Sequence, residues 1–196
     1  MGVPQKAVAW IKPEEYRALE EKATTKHEYL DGVAYSWQGF VPEARAGGSR
    51  AHNRVIQNLV VALRSSTPRR PCEVYASDIR LNVSAGRAYF YPDVAVTCSP
   101  GDSAAAAGQA SEFSEPCVVF EVLSDSTEAF DRGEKFEAYK HIPSLEEYVL
   151  VSPLNRRVEV FRRAQGWSAQ ICDSGALRLD CLDISVALDR VFESLD

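Results

Sequence analysis

Two short apolar runs in the middle of the chain each carry one carboxylate. Asp93 stands in Tyr91-Pro92-Asp93-Val94-Ala95-Val96, and Glu121 in Val118-Val119-Phe120-Glu121-Val122-Leu123-Ser124. Runs of this length and composition read as buried strands. An unpaired charge inside such a strand costs several kcal/mol, so each carboxylate needs a hydrogen-bond partner or a metal ion. Two carboxylates on neighbouring strands repel unless a divalent cation lies between them. The pattern predicts a metal site built on a sheet edge.

The polar segment that follows, Ser126 to Lys140, reads as a helix and places Lys135 four residues after Asp131, on the same face. Phosphodiester cleavage calls for a cation that lowers the pKa of water and shields the non-bridging oxygens. Mg²⁺ or Mn²⁺ does this with one or two carboxylates plus waters. Asp93 and Glu121 supply such oxygens, with the Val122 carbonyl as a third, and Lys135 is placed to orient or deprotonate the water.

The remainder of the chain supplies a frame. Pro13 to Glu20 starts like a helix, with proline and acids in its first turn. His27 to Tyr35 alternates around Asp31-Gly32, a hairpin signal. Ser49 to Ser65 is an amphipathic helix with Ile56, Leu59, Val60 and Leu63 at i, i+3, i+4, i+7 and with His52 and Asn53 off that stripe. Two short strands flank Ser77-Asp78, and a further strand element lies within 87–97. The Ala-, Gly- and Ser-rich stretch from Ser99 to Glu115 reads as a mobile loop. Strands at 147–151 and 157–162 follow, the second closing a hairpin with 167–172 through Gln165-Gly166, and 184–195 gives a short strand and a small helix. Consecutive strands flanked by helices predict an α/β (α+β) fold, a mixed sheet flanked by helices, in a single domain over residues 1–196.

With 45% hydrophobic residues the chain can bury a real core, and its net charge of −6 argues against retention on nucleic acid by bulk charge, though not against a local basic patch. Met1 to Ala9 lacks the apolar core of a signal peptide. No apolar run approaches the ~18 residues of a membrane span. The cysteines at 72, 98, 117, 172 and 181 form no CxxC pair and read as reduced thiols of a cytoplasmic protein. There is no Gly-rich phosphate loop, no nucleophile elbow and no cysteine zinc site.

In their order and spacing, Pro92-Asp93, Glu121-x-Leu123, Ser126-Thr127-Glu128, Asp131-Arg132-Gly133-Glu134-Lys135 and Tyr139 resemble the Uma-two family, a branch of the PD-(D/E)xK nuclease superfamily. The resemblance also takes in residues 28–32, His52-Asn53, residues 77–80 and residues 147–151. It implies a restriction-endonuclease-like mixed sheet, a divalent metal and DNA endonuclease activity, with Asp93 and Glu121 as the metal-binding acids. Glu28 matches an acid on an early element that can bind a second metal. Leu123 stands where the superfamily motif has lysine, and Lys135 on the following helix is the matching position. A homodimer is implied too, two sites serving two strands.

Each residue also has a plainer reading. Asp93 could cap a turn, Glu121 could sit in a buried structural ion pair, and Asp131–Lys135 could be a surface pair. Glu28 could face solvent on a hairpin. His52 is a DNA contact or surface residue rather than a ligand, and Asp78 a turn residue or a site acid. Arg156, Arg157, Arg162 and Arg163 read as a solvated hairpin face able to touch phosphates. The expected function is a metal-dependent DNA endonuclease. The alternatives are a catalytically inactive DNA-binding or regulatory protein on the same fold, or a hydrolase of smaller phosphate esters.

Overall fold

A computed structural model of the chain describes residues 10–36, 49–67, 71–106 and 111–195. The first nine residues, on which the signal-peptide expectation rests, lie outside the described residues. The first part of the chain gives α1 (Pro13–Glu20), β1 (His27–Leu30), β2 (Val33–Ser36), α2 (Arg50–Ser66), β3 (Glu73–Ala76) and β4 (Arg80–Val83). Next come β5 (Ala88–Phe90), β6 (Val94–Thr97), α3 (Pro100–Ala106), β7 (Glu112–Phe113) and β8 (Pro116–Val122). A helical segment then runs through α4 (Glu128–Phe130), a π-helical turn (Asp131–Lys135) and α5 (Phe136–Tyr139). It is followed by β9 (Glu147–Ser152), β10 (Arg157–Arg162), β11 (Ala169–Cys172), β12 (Ala176–Leu179), β13 (Ile184–Ala187) and α6 (Leu188–Val191).

The strands form two mixed sheets and a hairpin, confirming the α+β expectation. One sheet has the order β2-β1-β5-β4-β7, the second β11-β10-β9-β8-β6-β3, and β12 pairs with β13. The second sheet is antiparallel except where β8 runs parallel to β9. Alternation along its central strands divides two cores. Val94, Val96, Val118, Phe120 and Val122 face α2, whose Val55, Ile56, Leu59 and Leu63 are buried against them. Ala95, Val119 and Leu123 face the other way, onto Phe136, Tyr139 and the first sheet. With side chains alternating at period two, Asp93 and Glu121 fall on this second face, between the two sheets.

The Asp31-Gly32 hairpin forms as expected, with φ of 46° and 94° at its two turn residues, which suits glycine at the second. Ser49 caps α2 by accepting from the His52 backbone N–H at 3.1 Å.

Three expectations are corrected. The stretch 99–115 is not loop throughout, since it contains α3 and β7. Buried Asp102 organises it, accepting from the Thr97 hydroxyl at 2.9 Å and from the backbone N–H groups of Ser114 (3.1 Å) and Glu115 (2.9 Å). Cys72 and Cys98 are disulfide-bonded rather than reduced. They extend the β3–β6 ladder one step beyond Glu73↔Thr97, and their Cα atoms are 4.1 Å apart. Arg162 is not on a solvated face, while Arg163 is exposed. Arg162 is buried against Glu147 at 2.8 Å, and Arg163 donates to the Leu145 and Ile142 carbonyls. The chain also forms β12, paired with β13. Among the described residues no helix is long and apolar enough to cross a membrane.

Candidate active site

Asp93 enters β6 just after Pro92, whose fixed φ favours the extended chain there. The antiparallel register of β6 with β8 pairs Val94 with Phe120, so one step earlier Asp93 lies opposite Glu121. The two strands exchange bonds at this point. The Val122 N–H donates to Asp93 Oδ2 at 2.8 Å, and the Asp93 N–H to Glu121 Oε2 at 3.4 Å. Both side chains are buried, yet neither is orphaned.

Lys135 completes the arrangement from the π-helical turn. Its Nζ is 2.9 Å from Glu121 Oε1, 2.9 Å from Glu28 Oε1 and 3.7 Å from Asp131 Oδ1. Residues 131, 135 and 139 recur at intervals of four and share one helix face. Tyr139 follows Lys135 onto the same carboxylate, donating to Glu121 Oε1 at 2.9 Å. The turn is fixed from below by the Tyr148 hydroxyl, which donates to the Asp131 carbonyl at 2.8 Å. Arg132 fixes it from outside, making two bonds to Glu159 on β10 at 2.7 and 3.0 Å. A π-turn at this point is the kind of irregularity that gathers at functional sites.

Three carboxylates, from Glu28, Glu121 and Asp131, therefore surround one ammonium, with Asp93 beside Glu121, all at most 8% exposed. Burial raises Glu121 well above the ordinary carboxylate range; Lys135 opposes this, while Asp131, Asp93 and Glu28 add to it. Asp131 is pushed up to about 6 by burial, against Lys135 and a hydrogen bond from Thr127. Burial also works against the Lys135 ammonium, but Glu121, Glu28 and Asp131 outweigh it and hold the group protonated. The cluster has more negative charge than one lysine can balance, so it keeps a proton or attracts a further cation.

His52 on α2 approaches from the other core's side, with Nε2 at 3.2 Å from Asp93 Oδ2. Burial disfavours its imidazolium, but the Asp93 hydrogen bond outweighs this and raises the pKa, with the Val122 carbonyl adding to the effect. A cavity of about 700 Å³ opens here, with His52 and Asp93 on one side and Lys26, Ser77 and Asp78 on another.

Five of the six residues picked from sequence are thus brought together: Asp93, Glu121, Lys135, Glu28 and His52. Asp78 stands outside the carboxylate cluster but lines the same cavity as His52 and Asp93, 81% exposed in its side chain and ion-paired with Lys26. Asp131 and Tyr139 belong to the cluster but were not picked as site residues, although their spacing of four from Lys135 was legible. Lys26 gave no signal at all. Among the described residues, no three His, Cys, Asp or Glu side chains form a ready-made metal cage.

A family model described as "Uma2: Putative restriction endonuclease" matches residues 13–189. Two similar proteins come from Synechocystis sp. (strain ATCC 27184 / PCC 6803 / Kazusa). The uncharacterized protein slr1290 is 34% identical over 189 residues, covering 94% of this chain and 93% of that protein. The uncharacterized protein sll1609 is 36% identical over 149 residues, 76% of this chain and 78% of its own length. Among solved structures, "a putative nuclease belonging to DUF820" from Anabaena variabilis ATCC 29413 superposes with a TM-score of 0.72. It is 18% identical and covers 95% of this chain and 99% of its own, a likeness of fold.

Proposed function

Because the chain belongs to the Uma2 family, described as "Putative restriction endonuclease", we propose that it is a divalent-metal-dependent DNA endonuclease whose site is the Asp93–Glu121–Lys135 cluster. The observation that carries this is the pair of carboxylates held opposite each other on β6 and β8, with an ammonium 2.9 Å from one of them.

The donor set fits a hard dication. Asp93 Oδ2 is engaged by Val122 and His52, so its other oxygen would be a ligand, with Glu121 Oε2 and the Val122 carbonyl, each already accepting one hydrogen bond, offering their remaining lone pairs. Mg²⁺ and Mn²⁺ accept one or two carboxylates and complete their shells with water and substrate phosphate. When bound, the metal supplies Lewis acidity to the scissile phosphate and acidity to a water.

The chain's own groups do the rest. Lys135, kept charged by three carboxylates, donates toward negative charge as it develops on the phosphate. Tyr139 and the Asp93 N–H fix the two oxygens of Glu121 and so its plane. Glu28 holds the far side of the Lys135 ammonium, a positioning role rather than a second metal site. His52 orients Asp93 and faces the cavity from which a phosphate would enter. Leu123 occupies the place of the superfamily lysine, and Lys135 reaches the same carboxylate from the helix. Two copies of the chain, each with one site, would cut two strands.

The test is cleavage of supercoiled plasmid with Mg²⁺ and Mn²⁺, using wild type, Asp93→Asn and Glu121→Gln, each with an intact thermal transition. Nicking that disappears in both variants is expected. A folded wild type that cuts nothing with either metal would instead favour a binding protein on the same fold.

A further inference from the structure

The cavity that reaches Asp93 has an unusual wall for a chain of formal charge −6. Of the four clustered carboxylates only Asp93 lines it, with His52 alongside. Glu28, Glu121 and Asp131 lie behind, together with Lys135. On the cavity side of α2, Arg50, Asn53, Arg54 and Gln57 recur at i, i+3, i+4, i+7 and line it as one polar stripe. At 1.5 Å per residue the stripe is about 10 Å long, the rise of about three nucleotides of a strand.

The chemistry of the stripe is donor-rich. The Gln57 amide donates to Asn53 Oδ1 at 3.0 Å, which turns the Asn53 NH₂ outward as a donor. Arg50 and Arg54 are exposed and have no carboxylate partner among the described residues. Most other arginines do: Arg80 pairs with Glu112, Arg87 with Asp31, Arg132 with Glu159 and Arg162 with Glu147. The opposite rim carries Lys26, which donates to the Ser77 carbonyl at 2.8 Å and neutralises Asp78.

We propose that α2 is the nucleic-acid track. The strand to be cut runs along its first two turns with backbone phosphates on Arg50 and Arg54, which delivers the next phosphate to His52 and Asp93. Guanidinium groups suit this task because their planar forks match phosphate oxygens in pairs. This deepens the nuclease reading and rests on it for the nature of the ligand. It also moves the interface away from the β10 hairpin, where Arg162 is buried against Glu147 and Arg163 bonds main-chain carbonyls.

The test measures equilibrium binding of a fluorescein-labelled DNA duplex and its single strand without divalent metal, from about 50 to 200 mM salt. Wild type is compared with Arg50→Gln/Arg54→Gln and with Lys22→Gln/Arg190→Gln, which removes the same charge elsewhere on the surface. The α2 variant is expected to bind about tenfold or more weakly, with its duplex salt slope reduced by about 1.8, while the control stays near wild type. Wild-type affinity and slope in a folded Arg50→Gln/Arg54→Gln protein overturns the proposal. So does an equal loss in the control, or a wild type that binds no DNA. The plasmid assay separates this from the underlying reading. Cleavage that persists with unchanged KM in the α2 variant removes the track and keeps the nuclease. Binding that depends on Arg50 and Arg54 in a protein that never cuts keeps the track and removes the nuclease.

Discussion

Lys135 Nζ lies 2.9 Å from Glu28 on β1 and 2.9 Å from Glu121 on β8, so one buried ammonium joins the two mixed sheets. The helix carrying it is anchored by Arg132 to β10 and by Tyr148 from β9. The same group is therefore a structural tie and the cation nearest the candidate catalytic carboxylates. A fold that depended only on apolar contacts between these layers would have no need of a lysine 4% exposed at their centre.

Lys135→Met should therefore cost far more than a surface lysine. The methionine fills similar space, but Glu28, Glu121 and Asp131 are left facing one another without their cation. Breaking a buried pair in this way costs about 3–5 kcal/mol. Adding Glu28→Gln and Glu121→Gln should recover part of that stability without recovering plasmid cleavage. Urea unfolding of the single and combined variants checks this. A Lys135→Met protein within about 1 kcal/mol of wild type would mean the carboxylates are already neutral and the tie is weak.

Much of this site could be read in the sequence because its chemistry opposes its surroundings. Asp93 and Glu121 are visible as charges inside apolar runs, and their pairing on adjacent strands follows from short, consecutive strands. Lys135 was legible only as a helix position. That it turns inward depends on a π-turn whose widening no propensity in Asp-Arg-Gly-Glu-Lys announces. Glu28 and His52 come from distant parts of the chain, and only the packing of two sheets and α2 brings them to the same carboxylates. The order of segments showed alternating strands and helices but not that β3 and β4, with only three residues between them, belong to different sheets; Ser77, at φ 51°, lies in that connection. The burial of Asp102 was hidden for a similar reason, since its partners Ser114 and Glu115 come back from beyond the Ala-rich stretch.

The Cys72–Cys98 disulfide should be measurable both as a thiol count and as stability. Alkylation of the unfolded, unreduced chain should label the three cysteines at 117, 172 and 181 and spare the other two. The bond closes a loop with a sequence separation of 26, and for that length the chain-entropy account gives about 3.5 kcal/mol. Cys72→Ser/Cys98→Ser should lower the urea midpoint while raising the slope, since the unfolded chain without the cross-link exposes more surface. Five alkylated cysteines in the native preparation would show the pair to be reduced in solution.

Glu159 offers a pH test away from the carboxylate cluster. Its pKa is lowered, first by the hydrogen bonds from Arg132, with the Arg132 and Arg157 charges adding and burial opposing. A depressed folded-state pKa contributes stability that is fully present above the unfolded value, about 4.3 for glutamate, and is lost as pH falls through the folded value. Glu159→Gln removes this contribution, because a neutral amide cannot form an ion pair with the guanidinium at any pH. The variant should thus be less stable than wild type at neutral pH, and the gap should narrow as pH falls below about 4.3. Since Arg132 also holds the π-turn that aims Lys135, Glu159→Gln should lower kcat for plasmid nicking more than it raises KM, while Glu159→Asp keeps part of both. Thermal unfolding of the two proteins across the acid range checks the first expectation. A gap that stays constant with pH would show that Glu159 acts through packing alone.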